Sequence, residues 1–302
     1  MRAFACVVAV AALASAGNAG ATATSNCPPL GGSISYVHGT ARHLVSLATC
    51  ADRLAGRVRS ARSLPGVFTA PARARQQWIR FDGRMIWSAR ANGPVFPISL
   101  SPDRRWLVFA IDPDASASIA ADGLRLRVVS TAGGSPARVL GLALPYADYI
   151  AWCGRGLVFV EGGIRIAAYS KRLLAAAPPD WRARDLWPGG GRAFASPACA
   201  PSDDRVAVLT QPSSNDARFF STRWQLWTVT LDGARRLVDA PPPGFADESP
   251  AWSPTGDAIA FVRERAGQGT LAVSHRGVHP IARIGYSLGY YGHHDWQVTW
   301  RP

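Results

Sequence analysis

Lysine is almost missing from this chain: Lys171 is the single lysine among 33 basic residues, which leaves 32 arginines (33 − 1). The formal charge of +13 is therefore weak evidence for a nucleic-acid partner, since such surfaces more often mix both cations in one patch. With abundant alanine, glycine and proline, the pattern reads as the amino-acid usage of a GC-rich genome, and no nucleic-acid partner is expected. There is no Cys-x-x-Cys pair and no His/Cys cluster, which excludes the usual zinc spacings. No metal and no cofactor are expected. A sustained 3.6-residue apolar period is also absent, and 23 prolines with 29 glycines punctuate the chain. A helical bundle is excluded on those grounds.

What is present starts at the N-terminus. MRAFACVVAVAALASAGNAGATA carries one arginine, an apolar run and small-residue sites such as Ala14-Ser15-Ala16 and Ala21-Thr22-Ala23. That is the layout of a secretory signal peptide, and the run is short for a membrane span. The expected organisation is a signal peptide over 1–23 and one domain over 24–302, exported to the periplasm or secreted, with no transmembrane span after cleavage. Four cysteines remain: Cys27, Cys50, Cys153 and Cys199. An even count in an exported chain points to disulfides, and four cysteines allow three pairings. Locality in the fold argued below favours Cys27–Cys50 and Cys153–Cys199.

Repetition organises the rest. Ser99-Leu100-Ser101-Pro102-Asp103-Arg104-Arg105-Trp106-Leu107-Val108-Phe109 is echoed by Ala251-Trp252-Ser253-Pro254-Thr255-Gly256-Asp257-Ala258-Ile259-Ala260-Phe261. Weaker copies lie at Ala198–Val208 and Ala151–Phe159, and Val298–Pro302 stops inside another. The interval is roughly 47–53 residues, within the range of propeller blades. In each copy an apolar strand meets Ser-Pro-(Asp/Thr), where proline presets the first corner of a turn, and a second apolar strand follows. Third strands are expected at Leu124–Ser130, Ile164–Tyr169, Trp224–Leu231 and Thr270–His275. Fourth strands follow a glycine turn, as at Ala137–Leu140 and Arg235–Val238. Four antiparallel strands per unit make a blade.

These segments resemble the WD40-like repeats of the TolB-type β-propeller. The resemblance covers residues 33–302 and leaves no room for the α/β domain that precedes the propeller in TolB. It implies an all-β, six-bladed propeller. Residues 67–92, 94–140, 146–188, 192–240 and 247–284 would supply five blades. The other would be assembled from both chain ends, with Trp296–Trp300 as its innermost strand beside Ser33–His38, His43–Thr49 and Leu54–Arg59. The C-terminal strand would thus close the ring, removing an open edge. Trp106, Trp152, Trp252 and Trp300 are expected to pack one blade on the next.

Gly285-Tyr286-Ser287-Leu288-Gly289 spells the G-x-S-x-G of a hydrolase elbow. An elbow needs a following helix and a later acid and histidine, whereas only fifteen residues follow Ser287. No catalytic residue is therefore assigned. Residues just before each innermost strand should line one mouth of the channel, which gathers Asp148, Arg192, Asp247, Glu248, His293, His294 and Asp295 as candidate ligand or partner contacts. Long loops opening on the same face add Arg218, Phe219 and Phe220, since aromatics beside arginine are frequent interface anchors. The expected function is an exported, non-catalytic binding scaffold for another envelope or extracellular protein. The alternative is a lactonase-like or glycan-active propeller enzyme with its site at the mouth. A third partner class comes from residues 42–90, with ten arginines (42, 53, 57, 59, 62, 73, 75, 80, 84, 90) against Asp52 and Asp82. That asymmetry fits an anionic envelope polymer.

Overall fold

The Ser-Pro segments at 101 and 253 each fold as a corner closed by the serine hydroxyl. Ser101 Oγ donates to Asp103 Oδ1 (2.6 Å) and accepts the Trp106 N–H (2.9 Å), while Ser101 N–H donates to Trp106 O (2.9 Å). Ser253 repeats this with Asp257 Oδ1 (2.8 Å) and the Ala258 N–H (3.1 Å). The fourth residue of each corner is left-handed: Arg104 at φ 58°, Asp203 at 60° and Gly256 at 74°. Only Gly256 adopts this without a Cβ penalty. Asp tolerates it, and Arg104 is held there by the closed corner.

The computed structural model describes residues 27–58, 64–90, 93–113, 123–163, 167–214, 223–286 and 296–302. Their strands are β1 (Ser33–His38), β2 (Ala41–Ser46), β3 (Asp52–Arg57), β4 (Val67–Thr69), β5 (Gln76–Phe81), β6 (Arg84–Arg90), β7 (Val95–Leu100) and β8 (Trp106–Ile111). Then come β9 (Leu124–Ser130), β10 (Arg138–Ala143), β11 (Ile150–Cys153), β12 (Gly156–Glu161), β13 (Arg172–Ala176), β14 (Arg184–Asp185), β15 (Arg192–Cys199) and β16 (Arg205–Pro212). The last are β17 (Gln225–Thr230), β18 (Arg235–Asp239), β19 (Ala246–Trp252), β20 (Ile259–Arg265), β21 (Gln268–Ser274), β22 (Val278–Tyr286) and β23 (Thr299–Arg301).

They form six antiparallel sheets, one per blade of a TolB-like propeller. Five sheets have four strands: β23-β1-β2-β3, β7 to β10, β11 to β14, β15 to β18 and β19 to β22. The sixth, β4-β5-β6, has three among the described residues. Counting from the mixed blade as blade 1, this is blade 2. Its β5–β6 turn holds Asp82, which pairs with Arg104 in the first-to-second-strand corner of blade 3 (3.0 Å). Such corners and the third-to-fourth-strand turns share one face of a propeller, so β4, β5 and β6 are second, third and fourth strands. No innermost strand of this blade lies among the described residues, and residues 59–63 lie outside them.

The C-terminal strand closes the ring. β23 pairs with β1 in the register Ser33–Arg301, Ile34–Trp300 and Ser35–Thr299. One expected strand is displaced: the third strand of blade 4 is Arg172–Ala176, and residues 167–170 form a turn and bend outside any strand. The expected strand, Ile164–Tyr169, rests on the alternation Ile164-Arg165-Ile166, and residues 164–166 lie outside the described residues. However, the register that buries Leu173 and Leu174 against Phe159 and Val160 places the ladder later.

Seams between blades are apolar and pinned by polar contacts. Trp152 Nε1 donates to Ser99 Oγ (2.9 Å) across blades 3 and 4, and Trp252 Nε1 to Ala198 O (2.9 Å) across blades 5 and 6. Large aromatics thus bury their rings and still satisfy their N–H. Cys153–Cys199 ties blade 4 to blade 5, and Cys27–Cys50 ties the segment before β1 to the β2–β3 turn. Two disulfides indicate an oxidising compartment. Close approach also requires glycine: a Cβ on Gly123 would lie 2.3 Å from Gly163 Cα.

Candidate functional site

The innermost strands β11, β15, β19 and β23 pack against one another in turn, so their starting ends surround one mouth. Connections between second and third strands reach the same face: Lys171 N–H donates to Arg192 O (2.8 Å) and Ser213 N–H to Gly191 O (2.9 Å). Asp148 and Tyr149 enter this mouth on a short 3-10 turn, Ala147–Tyr149, just before β11. Glu248 enters from β19. Burial, followed by the charges of Asp148 and Glu248, drives the Tyr149 hydroxyl well above its ordinary value. Blades 4 and 6 therefore meet electrostatically across the mouth, with blade 5 between them.

Asp247, one residue before Glu248, points the other way, as strand alternation requires. Its carboxylate is buried and lies 3.0 Å from Arg263 Nε, and Arg263 also pairs with Asp239. Burial pushes the Asp247 carboxyl up to about 8, and the Glu248 charge adds to this. Desolvation lowers Arg263 as well. The result is a clamp between β18, β19 and β20 rather than a group presented to solvent.

Arg192 does not join the mouth acids. Its Nε donates to Thr210 Oγ1 (2.9 Å), and its guanidinium carbon lies 5.1 Å from the centre of the Trp187 ring and 5.9 Å from that of Trp227. Trp187 and Trp227 meet edge-on at 5.2 Å, a strong apolar attraction that carries the long Arg192 stem with it. Residues 215–222 and 287–295 lie outside the described residues, and with them Arg218, Phe219, Phe220, Ser287, His293, His294 and Asp295. A cavity of about 300 Å³ lies between Arg223, Gln225 and Pro241–Phe245.

Lys171 escaped the reading of residue patterns. It is buried on the mouth face, with Nζ 3.4 Å from both Ala167 O and Tyr169 O. Burial lowers its amine to about 7. A signal was available: one lysine in an arginine-rich chain is a residue of unusual choice, and arginine resists neutralisation where lysine does not. No group of three or more His, Cys, Asp or Glu side chains among the described residues is placed to hold a metal ion.

No protein-family model matches the sequence, and no curated protein matches it. Solved structures do. TolB from Acinetobacter baumannii aligns at 13% identity with TM-score 0.51, over 89% of this chain and 66% of that one. A putative TolB from Agrobacterium tumefaciens aligns at 14% identity and TM-score 0.49, over 89% of this chain and 98% of that one. An oligogalacturonate lyase in complex with manganese aligns at 12% identity and TM-score 0.45, over 80% and 70%. Identities this low speak for shape and not for activity. This chain has the fold of the TolB-type six-bladed β-propeller.

Proposed function

We propose that the chain is an exported β-propeller acting as a non-catalytic scaffold for another envelope or extracellular protein. The clamp on Asp247 carries this reading. The buried Asp247 carboxyl is engaged by Arg263, which Asp239 holds from its other side, a structural use that turns it away from a substrate. Export is supported by the signal-peptide pattern over residues 1–23 and by the two disulfides. The shared fold with the Acinetobacter TolB agrees with it.

The enzyme reading has one observation in its favour. Asp148, Glu248 and Tyr149 bring two carboxyls and a phenol together at the mouth, a set able to move protons on a sugar or lactone. Affinity capture from the native envelope fraction separates the two readings. The scaffold predicts a retained protein and no turnover of esters, lactones or oligosaccharides. Turnover that Glu248→Gln abolishes, in a protein that still folds, would overturn it.

A further inference from the structure

Blade 2 turns one face of its sheet to a seam that no apolar cluster among the described residues fastens. Four apolar clusters hold the ring: one joins blades 6 and 1, one joins 2 and 3, one joins 3 and 4, and one runs through 4, 5 and 6. None among the described residues joins blades 1 and 2. Side-chain hydrogen bonds follow the same division. His38 reaches Tyr286 O in blade 6, whereas Arg84 reaches Ala132 O in blade 3. Asp82 is likewise taken by Arg104.

The exposed face can be read from strand parity. Val67, Ile79 and Phe81 pack toward blade 3, so Phe68, Trp78 and Arg80 face blade 1. Register then sets Phe68, Arg80 and Met85 in one row across the three strands. Phe68 is 62% exposed and Met85 43%, and both rank among the most exposed large apolar side chains of the described residues. Arg80 also stands over Trp78, 5.2 Å from the ring centre. The matching faces of blades 3 and 6 are buried, with Phe109 and Phe261 at zero exposure.

We infer that this face docks an acidic polypeptide segment bearing bulky apolar side chains; the partner class rests on the scaffold reading above. Charge selects it. Arg73, Arg75, Arg80 and Arg90 belong to blade 2, and neither Asp of blades 1 and 2 is available, since Asp52 is held by Tyr36 and His43. The Phe68–Arg80–Met85 row favours a polypeptide, whose bulky apolar side chains can bury against both the Phe ring and the flexible Met while an acid meets Arg80 between them. The chain's own link between the blades, residues 59–63, reads Arg-Ser-Ala-Arg-Ser and matches neither the charge nor the apolar row.

The test uses a labelled short peptide alternating glutamate with leucine, titrated by fluorescence anisotropy against the full mature protein. It should bind, weaken as salt rises, and protect residues 67–69, 76–81 and 84–90 from hydrogen exchange. Phe68→Ser with Met85→Ser should weaken it about tenfold or more, and Arg80→Glu should do so independently. Exposed positions leave folding intact, checked by an unchanged melting temperature. Polyglutamate or anionic vesicles binding as tightly, indifferent to the Phe68/Met85 double variant, would overturn the assignment. So would absence of peptide binding. If a native partner is still captured equally well by the double variant, this surface is refuted while the scaffold reading stands.

Discussion

Trp296 N–H donates to Ser249 Oγ at 3.0 Å, joining two residues 47 apart in sequence and on different blades. Ser249 sits at a bulge of β19, where its φ is 50° and the pairing with β20 skips between Glu248 and Ala251. The bulge turns the hydroxyl toward the strand that completes blade 1. Trp296 itself is buried and packs in the cluster shared by blades 6 and 1. Closure is therefore both a β-ladder and a cross-blade anchor.

Ser249→Ala should lower stability by about 1–2 kcal/mol, since it removes the acceptor from a buried N–H. Removing residues 299–302 should cost far more, because the β1 edge loses its partner strand. Denaturant midpoints of the two variants rank these effects; a Ser249→Ala midpoint equal to that of wild type would refute the anchor.

Trp252→Phe keeps an aromatic ring in the seam but strands the Ala198 carbonyl. A loss of about 1–2 kcal/mol is expected, with the unfolding slope m unchanged. Trp152→Phe should behave alike through Ser99.

Asp247 and Lys171 predict opposite slopes of stability against pH. The folded Asp247 carboxyl titrates at about 8 against 3.8 in the reference state, so the folded protein binds the extra proton between these values. Its contribution is full at low pH and is lost as pH rises toward 8. Lys171 falls to about 7 from 10.5, so its unfolded state binds the extra proton, and stability rises with pH across that window. Urea midpoints measured from pH 4 to 10 should show both limbs. Asp247→Asn should flatten the first limb and Lys171→Met the second.

Replacing Cys153 and Cys199 by serine should cost about 3–4 kcal/mol, as their closed loop spans 46 residues. A reductant should produce that shift plus the Cys27–Cys50 contribution in wild type, and only the Cys27–Cys50 contribution in the double variant.

The propeller was legible because its grammar is local. Ser101-Pro102-Asp103 and Ser253-Pro254-Thr255-Gly256-Asp257 close their corners with groups only a few residues apart, so the residues that form the turn are also its signature. The third strand of blade 4 lies later than Ile164–Tyr169 because local alternation at Ile164-Arg165-Ile166 does not set the ladder, whereas pairing of Leu174 with Phe159 and Leu173 with Val160 does.

The site was less legible, for the same physical reason. Sequence alone determined the repeat, the blade order and the ring-closing end. Only the tertiary structure decided that Asp148 and Glu248 act on Tyr149 and that Arg263 clamps Asp247. It also decided that Arg192 lies on Trp187 and that blade 2 leaves Phe68 and Met85 uncovered. Corners are settled by hydrogen bonds within one turn. Burial and pairing between blades depend on residues brought together around the ring, and no short stretch of chain encodes those neighbours.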